Sequence, residues 1–589
     1  MKTLVALGMA FVAIVVLANP LNAGEAEQAT ALLRKYCYEC HGTDFAYPSL
    51  DILDRATLIE PKSKDEKPFL VPGDAAASRI FQRLTATDSA ERMPPEDQPQ
   101  PTAAEKELIG KWIAAGAEFP AADRPARPYK GEDTILAALA ADLEKVPAEH
   151  RQFTRYFTLL HLWNNPAASD HDLRLVRAAV SKLINSLSKQ VRITPPRVVD
   201  ADGLLLAIDL RDYGWDKGNR WNLLIGGDDT TGGYPYGLSR GSPAAKKVYD
   251  LAQSDLPYVR ADWFVYNAAR PALYYALLGL PQSQKALEEE LGVNARENLE
   301  RDRTARAAFR ESGVSDNSRM VQRQEAKYGA YWDSFDNATD GGDVDFFIKP
   351  LGPIDPEKPS RAAFKHDGGE VIFHLPNGLL AFYLATDQGA VLNEGPINIV
   401  RDPQQFSGSN KILNGISCFG CHRQGFIPFT DTLREGYVNR QGESVADKVL
   451  KIFPVAEVME RYRREDSERY QLGLDKATLQ FLRTSPEDKR SAIDFPEPIT
   501  HVSRHYDRKL TFDDIARELL LPADDATAAE HNIPTVADLK SQLKLNAALQ
   551  NAGLEPITRG EVVPRSMWEK AYHRTARVLR LGVPVHFGN

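Results

Sequence analysis

The chain has 589 residues, 43% of them hydrophobic and 26% charged, with a formal net charge of −9 and a pI near 5.8. At roughly 100–200 residues per domain, that length calls for several domains. The mildly acidic balance leaves no basic face for nucleic acid, and it is compatible with a redox partner, either a protein or a small electron donor or acceptor.

In chain order, the first segment is not part of the fold. Lys2 precedes an uncharged apolar run over 4–18, and small residues follow up to Ala23. This pattern predicts a secretory signal over 1–23, cut after Ala23, and places the mature protein in the periplasm. The alternative, an uncleaved anchor, needs about 20 apolar residues, and the run falls short of that. No later segment is long and apolar enough to span, so no stable membrane span is expected after cleavage.

Residues 25–36 have helical spacing of Ala, Leu and Tyr and deliver the chain to Cys37-Tyr38-Glu39-Cys40-His41. A second peptide of the same form is Cys418-Phe419-Gly420-Cys421-His422. Together they use all four cysteines of the chain, leaving none for a structural disulfide. In a c-type site two thiols at this spacing bond the haem vinyl groups, and the following histidine supplies the proximal nitrogen. A zinc site would need two further ligands at comparable spacing, and a thioredoxin-like pair would need a βαβ context. Two matches behind an export signal predict two covalent c-type haems, with Cys37, Cys40, Cys418 and Cys421 as attachment points and His41 and His422 on the irons.

The first peptide is followed by Gly42, Val71-Pro72-Gly73-Asp74, an amphipathic helix around 77–84, Arg92-Met93-Pro94-Pro95 and a helix over 103–117 with Leu108, Ile109, Trp112 and Ile113 on one face. Over 24–125 this resembles a class I cytochrome c, more narrowly the planctomycete-type cytochrome domain. The resemblance implies an all-α domain with crossing terminal helices and Met93 as the distal ligand. A methionine thioether favours ferrous iron and raises the potential. Such a haem would pass electrons and do no bond chemistry.

A Pro/Arg/Ala-rich stretch over 120–130 predicts a linker. The middle region, 126–363, predicts helices over 134–143, 152–162 and 172–188, a strand over 204–210, and a long aromatic-rich helical stretch over 258–280 that Pro271 kinks or splits. The acidic run 336–343 departs from a calcium loop at Ala338 and at its twelfth position, and it predicts a turn. The second haem region, 364–480, opens with a hairpin, strands around 370–375 and 379–385 joined at Pro376-Asn377-Gly378. The remainder, 481–589, predicts helices, one of them starting at Thr511-Phe512-Asp513-Asp514. The expected fold class is therefore multidomain, mainly α with some β: an all-α cytochrome c domain followed by a large α+β region carrying the second haem.

The stretch from Tyr258 through Asn414-Gly415-Ile416-Ser417 resembles exported proteins that join a planctomycete-type cytochrome domain to a second c-haem region. The Ser-Cys-x-x-Cys-His form also resembles di-haem peroxidases and their oxygenase relatives, although in the peroxidases the C-terminal haem is the electron-transfer one. No second Met-Pro-Pro follows His422. Candidates for its sixth ligand are His366, His374 and Met459, or no protein ligand at all. Three functions follow. A relay needs both axial positions of each iron filled; a peroxidase- or oxygenase-like enzyme needs one free at the second haem. A binding module would use Trp215, Trp221, Tyr234 and Tyr236 as its surface.

Overall fold

The computed structural model describes residues 21–41, 52–53, 58–59, 68–89, 91–95, 98–117, 119, 127–226, 233–239, 241–254, 256–310, 312–315, 317–336, 345–353 and 360–585. Residues 1–20 of the expected leader, 120–126 of the expected linker and 337–343 of the acidic turn lie outside them. The chain is mainly α with some β, and it divides into two compact units, 1–125 and 126–589.

In the first unit the helices Leu21–Tyr36 and Ala103–Ala114 pack together. Ala26, Ala29 and Leu33 recur at three- and four-residue spacing and meet Ile109, Trp112 and Ile113 in one small core. Glu105 ties the two helices. It closes a capping box with Thr102 and accepts from the Tyr36 hydroxyl at 3.0 Å and from Lys35 at 3.2 Å. The helix Arg79–Thr85 lies against the second of them.

The second unit holds two larger sheets and a two-stranded ribbon among helices. The four-stranded sheet runs Arg197–Val198, Leu205–Asp209, Thr154–Thr158, Tyr258–Arg260, with only the last pair parallel. Two expectations change here. Residues 152–162 are not helical throughout: Thr154–Thr158 is a strand, because this β-branched and aromatic segment is buried on both faces between two partners. The stretch 258–280 likewise opens as the strand Tyr258–Arg260 before the helices Ala261–Ala268 and Leu273–Leu278, which part around Pro271.

The six-stranded sheet is an antiparallel meander: Ala305–Phe309, Arg319–Ala326, Gly329–Phe335, Gly368–His374, Leu380–Thr386 and Val391–Leu392. Its fourth and fifth strands are the expected hairpin, in register from Leu380 opposite His374. The 27-residue helix Ala456–Leu482 ties to this sheet through Asp466. The helix Asp170–Ser186 is central: Ala261–Ala268, Ala456–Leu482 and Pro498–Asp507 all pack on it. The expected start at Thr511 is a capping box with Asp514. Trp215, Trp221, Tyr234 and Tyr236 are each at most 6% exposed, so they belong to the core and form no binding surface.

Candidate haem sites

The second Cys-x-x-Cys-His peptide opens with a short helix, Ile416–Cys421, held by the residues that precede it. Asn414 donates through Nδ2 to the Phe382 carbonyl at 3.0 Å and thereby fastens the peptide to the sheet. Gly415 adopts φ +83°, and a Cβ there would lie 2.4 Å from the Ala269 carbonyl oxygen, so only glycine fits. Ser417 donates its hydroxyl to Asp402 Oδ2 at 2.9 Å. Cys418 and Cys421 are free thiols, and burial pushes both pKa values up.

These side chains open onto a cavity of about 650 Å³. Cys418, Cys421 and His422 stand on its wall. The opposite side comes from one face of the six-stranded sheet. Strand alternation and register bring Val321, Trp332, Ser334, Glu370, Ile372 and Leu384 to that face together. Phe309 and Phe429, stacked at 5.0 Å, and Phe426 add aromatic surface. Arg310 and Arg319 supply cations, and Arg319 is fixed by Asp336 at 2.7 Å.

The donor set fits a c-type haem. His422 Nδ1 lies 3.1 Å from the Gly425 carbonyl, which fixes the tautomer in which Nδ1–H donates and Nε2 is left as the ligand atom. A largely apolar cavity of this size with few polar groups is the usual form of a cofactor site, and Arg310 and Arg319 are suited to haem carboxylates. Glu370 is the closest acid, with Oε1 3.7 Å from His422 Nε2.

None of the three candidate sixth ligands reaches this wall. His366 packs edge-on against Phe335, with Nδ1 turned to the Gly368 carbonyl at 3.4 Å. His374 is buried with both nitrogens engaged: Nδ1 accepts from the Ala330 amide at 3.0 Å and Nε2 donates to the Asp466 carbonyl at 2.9 Å. Met459 packs in the main core. Glu370, Arg319 and Trp332 were missed by sequence reasoning. Only the alternation Glu370-Val371-Ile372 pointed toward them, and it did not say which face met the haem peptide.

In the first unit, Cys37, His41 and Met93 line one cavity of about 270 Å³ with Leu33, Ile52, Phe69, Ile80, Leu84, Ile109 and the basic pair Arg79 and Arg83. The Cys40 side chain lies outside the described part. Burial lowers the His41 pKa, which favours the neutral imidazole that a metal requires. The Met93 amide donates to the Arg83 carbonyl at 2.9 Å and fixes the segment on the cavity rim.

Residues 37–97 match the family described as Planctomycete cytochrome C. The N-terminal domain is of the cytochrome c type. The match speaks for this cytochrome c domain, with its covalent haem c, and not for the second unit. No curated protein and no solved structure shows a significant match to the chain.

Proposed function

We propose that the chain is an exported periplasmic di-haem oxidoreductase. In this reading its cytochrome c domain, ligated by His41 and Met93, exchanges electrons with a redox partner. A second covalent haem on Cys418, Cys421 and His422 is the reactive centre. One observation carries the reading: among the described residues lining the second cavity, none other than His422 is a histidine and none is a methionine. A relay would need a strong ligand there, whereas the wall offers Glu370, Ser334 and Arg319.

A c-type haem bound in this cavity would supply one-electron chemistry and an exchangeable coordination position. The chain's own groups define what it could act on. His422, braced by the Gly425 carbonyl, would hold the iron through Nε2. Glu370 puts a carboxylate beside the His422 imidazole inside the cavity. Arg310 and Arg319, the latter held by Asp336, would face the haem carboxylates. Ile372, Val321, Trp332 and Phe426 make much of the cavity lining apolar. Among the described residues no helix is long and apolar enough to cross a membrane.

Adding cyanide to the oxidised protein tests this. A shift of the Soret band, with one high-spin iron signal in the ligand-free paramagnetic resonance spectrum, is expected. Two low-spin signals and an unchanged Soret band would reject the open centre and leave an electron relay.

A further inference from the structure

Away from both haem cavities, three ionisable side chains converge where the helices Asp170–Ser186 and Pro498–Asp507 pack. His501 and His505 are one helical turn apart, so both imidazoles leave the same face, and their ring centroids are 4.4 Å apart. Asp172, on the other helix, directs Oδ1 at His501 Nε2 across 3.3 Å. Its Oδ2 accepts the Ser169 amide at 2.6 Å, which orients the carboxylate from behind. One donor atom from each of the three residues lies within 4.8 Å of the other two.

A buried His–Asp pair alone would account for His501, which is 2% exposed, and Asp172. It leaves the second imidazole unexplained. Two imidazoles and a carboxylate converging on one side form a donor set for a transition ion. The cations on the same helix are otherwise engaged. Arg508 pairs with Asp514 at 2.6 Å, and Arg504 donates to the Gln404 carbonyl at 3.0 Å and lies over the Phe406 ring. His505 is exposed, so an ion has an entry path and solvent on its open side.

We propose that Asp172, His501 and His505 bind a divalent first-row transition ion such as Zn²⁺. Three protein ligands of this kind, two nitrogen and one oxygen, leave a coordination position for water or an external ligand, the pattern of an open rather than a closed structural site. The helix that carries both histidines also packs on the haem helix Ile416–Cys421. The ion would therefore brace the frame behind the second haem peptide.

The test is calorimetric titration of chelator-washed, untagged, haem-loaded protein with Zn²⁺. One saturable site is expected. Binding should weaken at least about tenfold in His505→Ala, a substitution at an exposed position, and similarly in Asp172→Asn, which keeps an oxygen for the Ser169 amide. An unchanged haem spectrum in both variants shows that the fold is intact. Absence of saturable binding in the parent protein, or equal affinity in His505→Ala, overturns the site.

Discussion

Gly420 sits between the two thiols of the second Cys-x-x-Cys-His peptide, and the Phe406 ring closes directly over it. A Cβ at this position would lie 2.4 Å from Phe406 Cγ. Overpacking of this kind costs about 1–3 kcal/mol. Gly420→Ala should lower stability by that amount in denaturant unfolding, and the same substitution should cost less when made in a Phe406→Ala background, where the ring it meets is gone. Met93 makes a different prediction. Met93→Ala should abolish the long-wavelength charge-transfer band of a Met-ligated ferric haem while the haem stays attached, because the thioethers do not depend on it; a band that survives assigns another ligand. Asp333 predicts a pH dependence. Burial, with the Glu288 carboxylate nearby, pushes its pKa up to about 8, against about 3.9 for an unfolded aspartate. The folded state therefore holds a proton that the unfolded state has lost. Stability falls as pH rises across that window and levels off above it. Asp333→Asn should flatten this slope and raise stability by more than about 1 kcal/mol at pH 8, as read from unfolding curves at several pH values.

At the scale of elements, the six-stranded sheet and the helix Ala456–Leu482 are joined through Asp466. It accepts from Arg323 at 2.9 and 3.2 Å and from the Trp332 indole at 2.8 Å, with both ion-pair side chains under 10% exposed. Removing one partner of such a pair leaves a buried charge uncompensated and costs about 3–5 kcal/mol. Asp466→Ala should show a loss of that size in denaturant unfolding. This joint also explains which elements were legible in the sequence. The hairpin around Asn377-Gly378 and the capped helix at Thr511 carry local signals, and the sequence reading finds them. The strands Ala305–Phe309, Arg319–Ala326 and Gly329–Phe335 do not. Arg306, Gln322 and Asp333 are buried on one face, and Arg319 and Arg323 on the other. The apolar alternation that marks a half-buried strand is absent because both faces bury paired polar groups. The two Cys-x-x-Cys-His peptides were legible because their pattern is contiguous. The wall facing His422 was not, since it is assembled from strands well separated in sequence.

At the scale of the molecule, the two units differ in how much of the site one stretch of chain supplies. The cytochrome c domain brings its peptide, its methionine and its cavity together within one short segment. The second unit draws its cavity from residues 309–432. The mature mass should exceed that of the 24–589 polypeptide by two haems. Replacing both Cys418 and Cys421 with alanine should remove one haem and leave the other; a parent mass showing a single haem would refute the second site.

Cys418 is 2% exposed, with Phe382 and Tyr274 packed against Phe419 of its helix. Machinery that joins a thiol to a vinyl group is far larger than a water molecule and cannot reach it in the finished fold. On the proposal that this thiol carries a second haem, attachment precedes closure, while the chain around residue 418 is still open. Biogenesis of the proposed di-haem form then has a fixed order, and chain that folds before receiving its second haem is stranded. Adding haem to it afterwards, even with the attachment machinery present, should not restore the missing mass unless the protein is first unfolded.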